Sequence, residues 1–156
     1  MFSKTTEYAL RATFFIAQKG SKTNKLSIIE IAKAIGSPQP FTSKILQILT
    51  RDRSLVSSVR GPNGGFFMTE KAKKLPVSRI LQVMHEEQTI KKCIMGLPQC
   101  TSEKPCPLHE QYLSIRNQLN ILFETTTIGD IANNLNDQGV FLIDDKKKLG
   151  LRKPSL

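Results

Sequence analysis

One segment, LVSSVRGPNGGFFMT at residues 55–69, limits the folds open to this chain more than any other. Two short extended runs, rich in β-branched and aromatic residues, flank a six-residue turn, RGPNGG. The pattern predicts one β-hairpin with Arg60 and Asn63 near its tip. The segments on either side have helical spacing, so we expect a mainly α fold that carries a small β-hairpin wing.

Two short helices are predicted directly before the hairpin. The first, SIIEIAKAIG, begins with a capping box of Ser27 and Glu30 and ends at Gly36. The second is FTSKILQILTR at residues 41–51. Its apolar residues recur at helical spacing and predict a buried face of Phe41, Ile45, Ile48 and Leu49. The opposite face carries Thr42, Ser43, Lys44 and Gln47.

Two helices joined by a tight turn and followed by a hairpin are typical of a winged helix-turn-helix. Hydroxyl, amide and cationic side chains suit base edges and phosphates in a major groove. We predict that the exposed face of the second helix contacts DNA there through Thr42, Ser43, Lys44 and Gln47. Arg60, with Asn63 beside it, would enter a minor groove or bind phosphate. The helix pair alone fits a generic helical hairpin with a solvated face equally well.

The charge of the chain is consistent with a polyanionic partner. The formal charge is +10, and residues 1–90 contain 14 Lys and Arg against 6 Asp and Glu. Lys71, Lys73 and Lys74 follow the hairpin and extend this basic region. Such a distribution is typical of nucleic-acid binding, although high pI alone also occurs in proteins without that partner.

Helices are also predicted on both sides of this unit. TTEYALRATFFIAQKG predicts a mostly buried helix that is capped by Thr5 or Thr6 and ends at Gly20. PVSRILQVMHEE, which starts at residue 76, returns to helical spacing. We therefore expect residues 1–90 to form a winged helix-turn-helix DNA-binding domain.

A longer helix is predicted for LHEQYLSIRNQLNILFETTT, which starts at residue 108. Its apolar residues form a heptad seam of Leu108, Tyr112, Ile115, Leu119 and Leu122. The seam would pack on the domain's own core or on a second copy, and a two-fold dimer suits a palindromic DNA site. We assign residues 107–135 to a dimerisation helix with a short following helix, and residues 136–156 to a disordered tail.

The sequence predicts a cytoplasmic protein. No run approaches the roughly 20 apolar residues of a membrane span. Glu7 and Arg11 interrupt the apolar stretch near the N-terminus, which argues against a signal peptide. Thiols stay reduced in the cytoplasm, and the chain has an odd number of cysteines, so metal binding or redox sensing is favoured over disulfides.

All three cysteines lie in KKCIMGLPQCTSEKPCPLH, residues 91–109. Six residues separate Cys93 from Cys100, five separate Cys100 from Cys106, and two separate Cys106 from His109. Three thiolates and an imidazole suit zinc or an iron–sulfur cluster. The cysteine gaps exceed the two to four residues usual for structural zinc, which favours the cluster. A proline after the third cysteine suits the start of a helix, whose N-terminal dipole stabilises negative charge.

The chain resembles the IscR/NsrR family of iron–sulfur transcription regulators over residues 1–135. The resemblance rests on TEYALRA in the first helix, EIAKAIG before the recognition helix, LVSSVRGPNGGFFMT in the hairpin, and the three cysteines before the long helix. It implies a homodimeric winged-helix repressor with one cluster per subunit, which reads double-stranded DNA at a palindromic operator. Nitric oxide, oxygen or iron shortage would damage the cluster and change DNA binding.

The resemblance implies Cys93, Cys100 and Cys106 as cluster ligands and offers two fourth ligands. Members of the 2Fe–2S type use a His separated from the third cysteine by two residues, where His109 stands. Members of the nitric-oxide-sensing 4Fe–4S type use an acidic residue in the first helix of the partner subunit, a place that Glu7 occupies. We favour His109, and therefore a 2Fe–2S cluster. The first cysteine gap is one residue longer than in the family.

Two other functions use the same residues. A zinc-stabilised or thiol-redox DNA-binding regulator would need the cysteines without a cluster. An enzyme with Cys106 as nucleophile and His109 as base would also need an orienting third residue and an oxyanion hole, for which the sequence has no motif. We therefore predict a regulator and not an enzyme.

Overall fold

The computed structural model describes residues 1–135 and 142–143. The helices are α1 (Lys4–Lys19), α2 (Ile28–Ile35), α3 (Gln39–Arg51), α4 (Glu70–Lys73), α5 (Ser78–Val83), α6 (His109–Thr125) and α7 (Ile128–Asn134), the strands are β1 (Ser57–Val59) and β2 (Gly65–Phe67), and a 3-10 helix covers Glu87–Ile90. The predicted fold class, mainly α with a small β-hairpin, is confirmed. Apart from residues 142–143, the predicted tail at 136–156 lies outside the described residues.

Side-chain caps decide where the first two helices begin. The hydroxyl of Ser27 accepts the backbone N–H of Glu30 at 3.2 Å, and the Glu30 carboxylate accepts the Ser27 N–H at 2.7 Å, so the predicted capping box is present. Helix α1 begins earlier than predicted, because Ser3 accepts the backbone N–H of Thr6 at 3.2 Å. The predicted cap by Thr5 or Thr6 is therefore wrong, since both residues already lie within the helix.

Helix α1 runs through the middle of the core. It packs against α2, α3, α5 and α7, and its Ala9, Ala12 and Ile16 are fully buried. The small alanines let the neighbouring helices approach α1 closely. Aliphatic side chains from the surrounding elements complete the core, among them Ile31, Ile35, Ile45, Leu46, Leu49, Leu55, Val56, Ile80 and Ile128.

Helix α7 belongs to this same core. Ile128 and Ala132 are buried in it, and backbone hydrogen bonds join the start of α7 to the segment before α5. The N–H of Val77 donates to Thr126 O at 2.9 Å, and the N–H of Ile128 donates to Leu75 O at 3.0 Å. The sequence predicts that α7 follows the dimerisation helix as part of the same segment. In the structure α7 packs on the core of the first domain, chiefly against α1.

The hairpin is attached to the body of the domain through a third segment. Strands β1 and β2 pair antiparallel with Val59 opposite Gly65, and we call residues 57–67 the wing. Leu26, between α1 and α2, exchanges both backbone hydrogen bonds with Phe66 at 2.8 Å. The turn at residues 60–64 therefore projects from an anchored base.

Replacement of Gly65 by Ala should destabilise the anchored wing. Gly65 has φ +143°, and an added Cβ would lie 2.7 Å from the backbone oxygen of Leu26. We expect the free energy of unfolding to fall by about 1–3 kcal/mol, the cost of a strained backbone that also has to move. Gly61→Ala is the matched control, because Gly61 also has positive φ (+109°) but no atom within 4 Å of the added Cβ. Urea unfolding followed by circular dichroism compares them, and equal losses would contradict the proposed clash.

Candidate metal centre and nucleic-acid interface

The three cysteines meet in one cluster. Their Sγ atoms all lie within 4.8 Å of one another, and those of Cys93 and Cys106 are 3.6 Å apart. The Nδ1 atom of His109 lies 3.2 Å from the Sγ of Cys100. The structure thus brings the three predicted cysteine ligands together and places His109 against one of them, Cys100, and we call these four residues the cysteine site.

Tight turns present the thiols to each other. The N–H of Gly96 donates to Cys93 O at 2.9 Å, and Gly96 has φ +69°, a conformation that glycine adopts without strain. At the other end of the loop, the N–H of His109 donates to Cys106 O at 3.0 Å and begins α6. The loop folds by local backbone bonds and carries little apolar core of its own.

The thiols differ in their tendency to ionise. Burial raises the pKa of Cys93, but the backbone N–H groups of Leu97 and Met95 and the neighbouring thiols outweigh it and lower the pKa to about 7. Burial raises the pKa of Cys106, and the adjacent Cys93 and Cys100 raise it further. One thiolate therefore forms readily near neutral pH, whereas further thiolates would repel it. A bound cation would remove that repulsion, so the arrangement suits a metal.

The two backbone donors at Leu97 and Met95 were not predictable from the side-chain pattern. Every residue except proline has a main-chain N–H, so the side-chain pattern does not show which of these groups will donate to a thiol. The one signal was the glycine between these residues, which permits the turn that directs both N–H groups at Cys93.

His109 is the buried polar group of the site. Its side chain is 6% exposed, and its Nε2 atom has no hydrogen-bond partner in the described part of the chain. An unpartnered buried polar atom costs about 1–3 kcal/mol, so an imidazole is a poor choice here for stability alone. With one nitrogen against Cys100, it is well placed to act as a ligand.

Glu7 lies outside the cysteine site of its own chain. Its carboxylate accepts a hydrogen bond from the Lys4 ammonium at 2.6 Å, and this contact holds its pKa below the usual range. Within the described residues, the group of mutually close metal-binding side chains consists of the three cysteines. A ligand role for Glu7 toward a second subunit stays a prediction.

The exposed face of α3 is narrower than predicted. Lys44 and Gln47 are exposed and Ser43 is half-buried. Thr42 is fully buried, and its hydroxyl donates to Pro38 O at 3.1 Å, so the prediction that it lies on the DNA-facing side is wrong. The reason is that Thr42 lies four residues before Leu46 and seven before Leu49, so it shares their buried face of α3. Arg60 and Asn63 are both exposed in the wing turn.

A polar contact holds the C-terminal end of α3 against α5. Asp52 accepts hydrogen bonds from the Arg79 guanidinium and from the backbone N–H of Ser54, the latter at 3.0 Å. The bond from Ser54, together with the positive charge of Arg79, holds the pKa of Asp52 below its usual range. The carboxylate therefore stays ionised, and its pairing with Arg79 links the end of α3 to α5.

Comparison with known proteins identifies the family. The family model Rrf2, described as an iron-dependent transcriptional regulator, matches residues 2–134. The chain belongs to the Rrf2 family. It is therefore a DNA-binding transcriptional regulator and not an enzyme, as predicted. The described residues contain no helix with the length and apolar character needed to cross a membrane.

Relatives of this Rrf2 regulator cover most of its length. An HTH-type transcriptional regulator of Aquifex aeolicus (strain VF5) is 30% identical over 135 residues, which are 85% of this chain and 92% of the relative. The regulator IscR of Klebsiella pneumoniae (strain 342) is 26% identical over 127 residues, 81% of this chain and 76% of IscR. The resemblance to IscR-type regulators predicted from the sequence is confirmed.

Solved structures share the fold. CymR, the global cysteine regulator of B. subtilis, superposes with a TM-score of 0.69 at 22% identity and covers 85% of this chain and 96% of its own. T. potens IscR superposes with a TM-score of 0.62 at 21% identity and covers 86% of this chain and 87% of its own. Both support the winged-helix architecture described above.

Replacement of His109 by Leu should stabilise the metal-free protein. Leucine has a similar volume and removes the unpartnered Nε2, so we expect the free energy of unfolding to rise by about 1–2 kcal/mol. Urea unfolding of both proteins in the presence of a chelator and a reductant measures the change. A clear loss of stability would show that the imidazole supports the fold itself.

Proposed function

We propose that this Rrf2 regulator represses transcription and senses redox state, nitric oxide or iron supply through an iron–sulfur cluster. Cys93, Cys100, Cys106 and His109 would hold the cluster. The observation that carries the proposal is the convergence of three thiols and a buried imidazole in a chain whose family is described as iron-dependent. Regulation of bacterial genes would place the protein in the cytoplasm.

The donor set favours His109 over Glu7 as the fourth ligand, and with it a 2Fe–2S cluster over a 4Fe–4S cluster. His109 already lies 3.2 Å from Cys100, whereas Glu7 is paired with Lys4. A cluster would supply a centre that gains or loses electrons and reacts with nitric oxide. The protein supplies the thiolates, and it shields two of the three from solvent, since Cys93 and Cys106 are each 9% exposed.

The loop that carries the cysteines, residues 91–108, is linked through packed elements to the DNA-binding surface. We call this segment the cysteine loop. It joins the 3-10 helix to α6, and the 3-10 helix packs on α5. Helix α5 in turn holds the end of α3 through Arg79 and Asp52. Thiolates that lose their bound cation repel each other and loosen the loop, and we propose that this shifts α5 and α6 and resets the two recognition helices of a dimer.

A homodimer is the second part of the proposal. His109 is the one buried residue of α6, a helix of 17 residues. The predicted heptad seam includes Ile115 and Leu122, which are 54% and 55% exposed. A second copy of α6 would cover these side chains by the same seam, and a two-fold dimer would present two wings to a palindromic operator.

A zinc-stabilised regulator is the alternative that one observation favours. Zn–S bonds are about 2.3 Å long, so two thiolates on one zinc ion stand no more than about 4.6 Å apart. All three Sγ atoms lie within 4.8 Å of one another, so a single ion could bind all three with little movement. A cluster with several irons is wider and would require the loop to open. Iron and zinc analysis separates the two.

Anaerobic purification should give a coloured protein that contains iron and sulfide. We expect visible absorption between about 320 and 500 nm, because thiolate- and sulfide-ligated iron absorbs there. Stoichiometric zinc in a colourless protein would replace the cluster proposal by the zinc alternative. A metal-free product is reconstituted with iron and sulfide before the spectrum is read, and failure to take up iron then counts against the cluster.

Replacement of His109 by Ala should change the shape of this spectrum, whereas Glu7→Gln should leave it unchanged. The expected result follows from the contact between His109 and Cys100 and the pairing of Glu7 with Lys4. Both variants are loaded and recorded under identical anaerobic conditions. The reverse pattern would assign the fourth ligand to Glu7 and favour the 4Fe–4S type.

Replacement of Ile115 by Asp should produce a monomer. A carboxylate in the middle of an apolar seam would have to be buried at the dimer interface, which is unfavourable. Sedimentation equilibrium measures the mass of the wild type and the variant. Gln118→Asp, at another exposed position on α6 outside the seam, is the matched control. A wild type that sediments as a monomer would contradict the dimer.

Replacement of Arg60 by Ala should weaken binding to a specific DNA duplex by about 1–3 kcal/mol, the range for one good base contact. The operator is first selected from a random duplex pool with the wild-type protein, and affinities are then measured by fluorescence anisotropy at one salt concentration. Lys104→Ala removes a cation from the cysteine loop and serves as the control. Unchanged affinity of the Arg60 variant would exclude a wing contact to bases.

A further inference from the structure

An arginine-rich cleft lies between the C-terminal end of α3 and strand β1. Its volume is about 600 Å³. Three guanidinium groups and three hydroxyl groups line it, from Arg51, Arg53, Arg60, Thr50, Ser57 and Ser58. Of these six residues, only Arg60 belongs to the DNA surface predicted from the sequence.

The three arginines have no internal counter-charge. Among the described residues, no carboxylate forms an ion pair with Arg51, Arg53 or Arg60. Asp52, the acidic residue between two of them, is bound to Arg79 and lines a neighbouring groove to which Arg51 also contributes. The cleft therefore concentrates positive charge that the described part of the fold leaves uncompensated.

The backbone at Arg53 is unusual in the same place. Arg53 has φ +58°, a left-handed conformation that Gly and Asn adopt more readily than Arg. It lies in the turn between α3 and the buried Leu55, where its side chain reaches the cleft together with that of Arg51. Strained residues of this kind concentrate where a side chain has a function.

We infer that this cleft binds a phosphodiester group of the DNA backbone beside the wing. Guanidinium groups bind phosphate oxygens in pairs of parallel hydrogen bonds, and the hydroxyls of Ser57 and Ser58 would add further donors. The hydroxyl of Thr50 already donates to Leu46 O at 2.8 Å. The inference rests on the proposed DNA-binding function and adds a contact that positions the wing without reading sequence. It enlarges the interface from α3 and the wing turn to the loop that joins them.

Arg53→Asn and Arg51→Gln test the cleft. Asn tolerates the left-handed backbone at position 53, so that variant removes the guanidinium and keeps the turn. Arg116→Gln serves as the control. It removes one positive charge from α6, where the Arg116 guanidinium donates to Lys91 O and does not line the cleft. Circular dichroism checks the fold of each variant. Affinity is measured by anisotropy at several salt concentrations, for the selected duplex and for a scrambled duplex of equal length.

Each cleft variant should bind both duplexes about three- to tenfold more weakly at moderate salt. The slope of log K against log salt should fall by about one per protomer, because one phosphate contact and its released counterion are lost. The Arg116 control should keep the wild-type slope. Should Arg51→Gln fail to fold, Arg53→Asn alone decides.

Four results would overturn the inference. Unchanged slopes in the cleft variants, with normal wild-type binding, would remove the cleft from the interface and leave the regulator intact. A loss confined to the selected duplex would indicate a base contact instead of a phosphate contact. Saturable binding of inorganic phosphate, measured by calorimetry and lost in Arg53→Asn while DNA slopes stay unchanged, would make the cleft a site for free anions only. A wild-type protein that binds no duplex would overturn the proposed function as well.

Discussion

Burial of α1 is the constraint on which the rest of the structure depends. Its fully buried residues contact the helices of the helix-turn-helix on one side and α7 on the other. The ring of Tyr8 also packs edge-on against Phe41 at 5.7 Å, which orients the first turn of the recognition helix. One helix therefore sets the position of α3 relative to α7, which directly follows α6, so a movement of α6 has a rigid element to act on.

The cysteine loop follows a different physical principle. The domain core is held by aliphatic packing, whereas the loop is held by short turns and by the contacts among its thiols and His109. Local stability is low where apolar burial is small, and such segments are suited to switching. A bound cation would offset the repulsion among thiolates that the opposed pKa shifts of Cys93 and Cys106 reflect. The stability of the loop is then coupled to what it binds.

Most of the architecture was predictable because its determinants are local. The capping box at Ser27, the glycine-rich wing turn and the clustered cysteines are patterns of neighbouring residues, and each formed the structure that its pattern predicts. The errors arose where residue type alone was used to place a side chain. Thr42 was assigned to the surface because it is polar, but it lies on the helical face of Leu46 and Leu49 and is buried with them. Thr5 and Thr6 suit an N-cap as well as Ser3 does, and residue type does not decide which of them begins α1.

The sequence by itself determined the winged helix-turn-helix, the family resemblance and the identity of the candidate ligands, since these depend on residue type and short-range spacing. Only the tertiary structure decided that α7 returns to the core, that His109 lies against Cys100, and that Arg51 and Arg53 share a cleft with the wing. These contacts join segments that are far apart in the chain or, at Arg53, depend on one backbone angle, its positive φ. These contacts form because the helices pack around α1. That packing brings together residues whose spacing in the sequence gives no sign that they are neighbours.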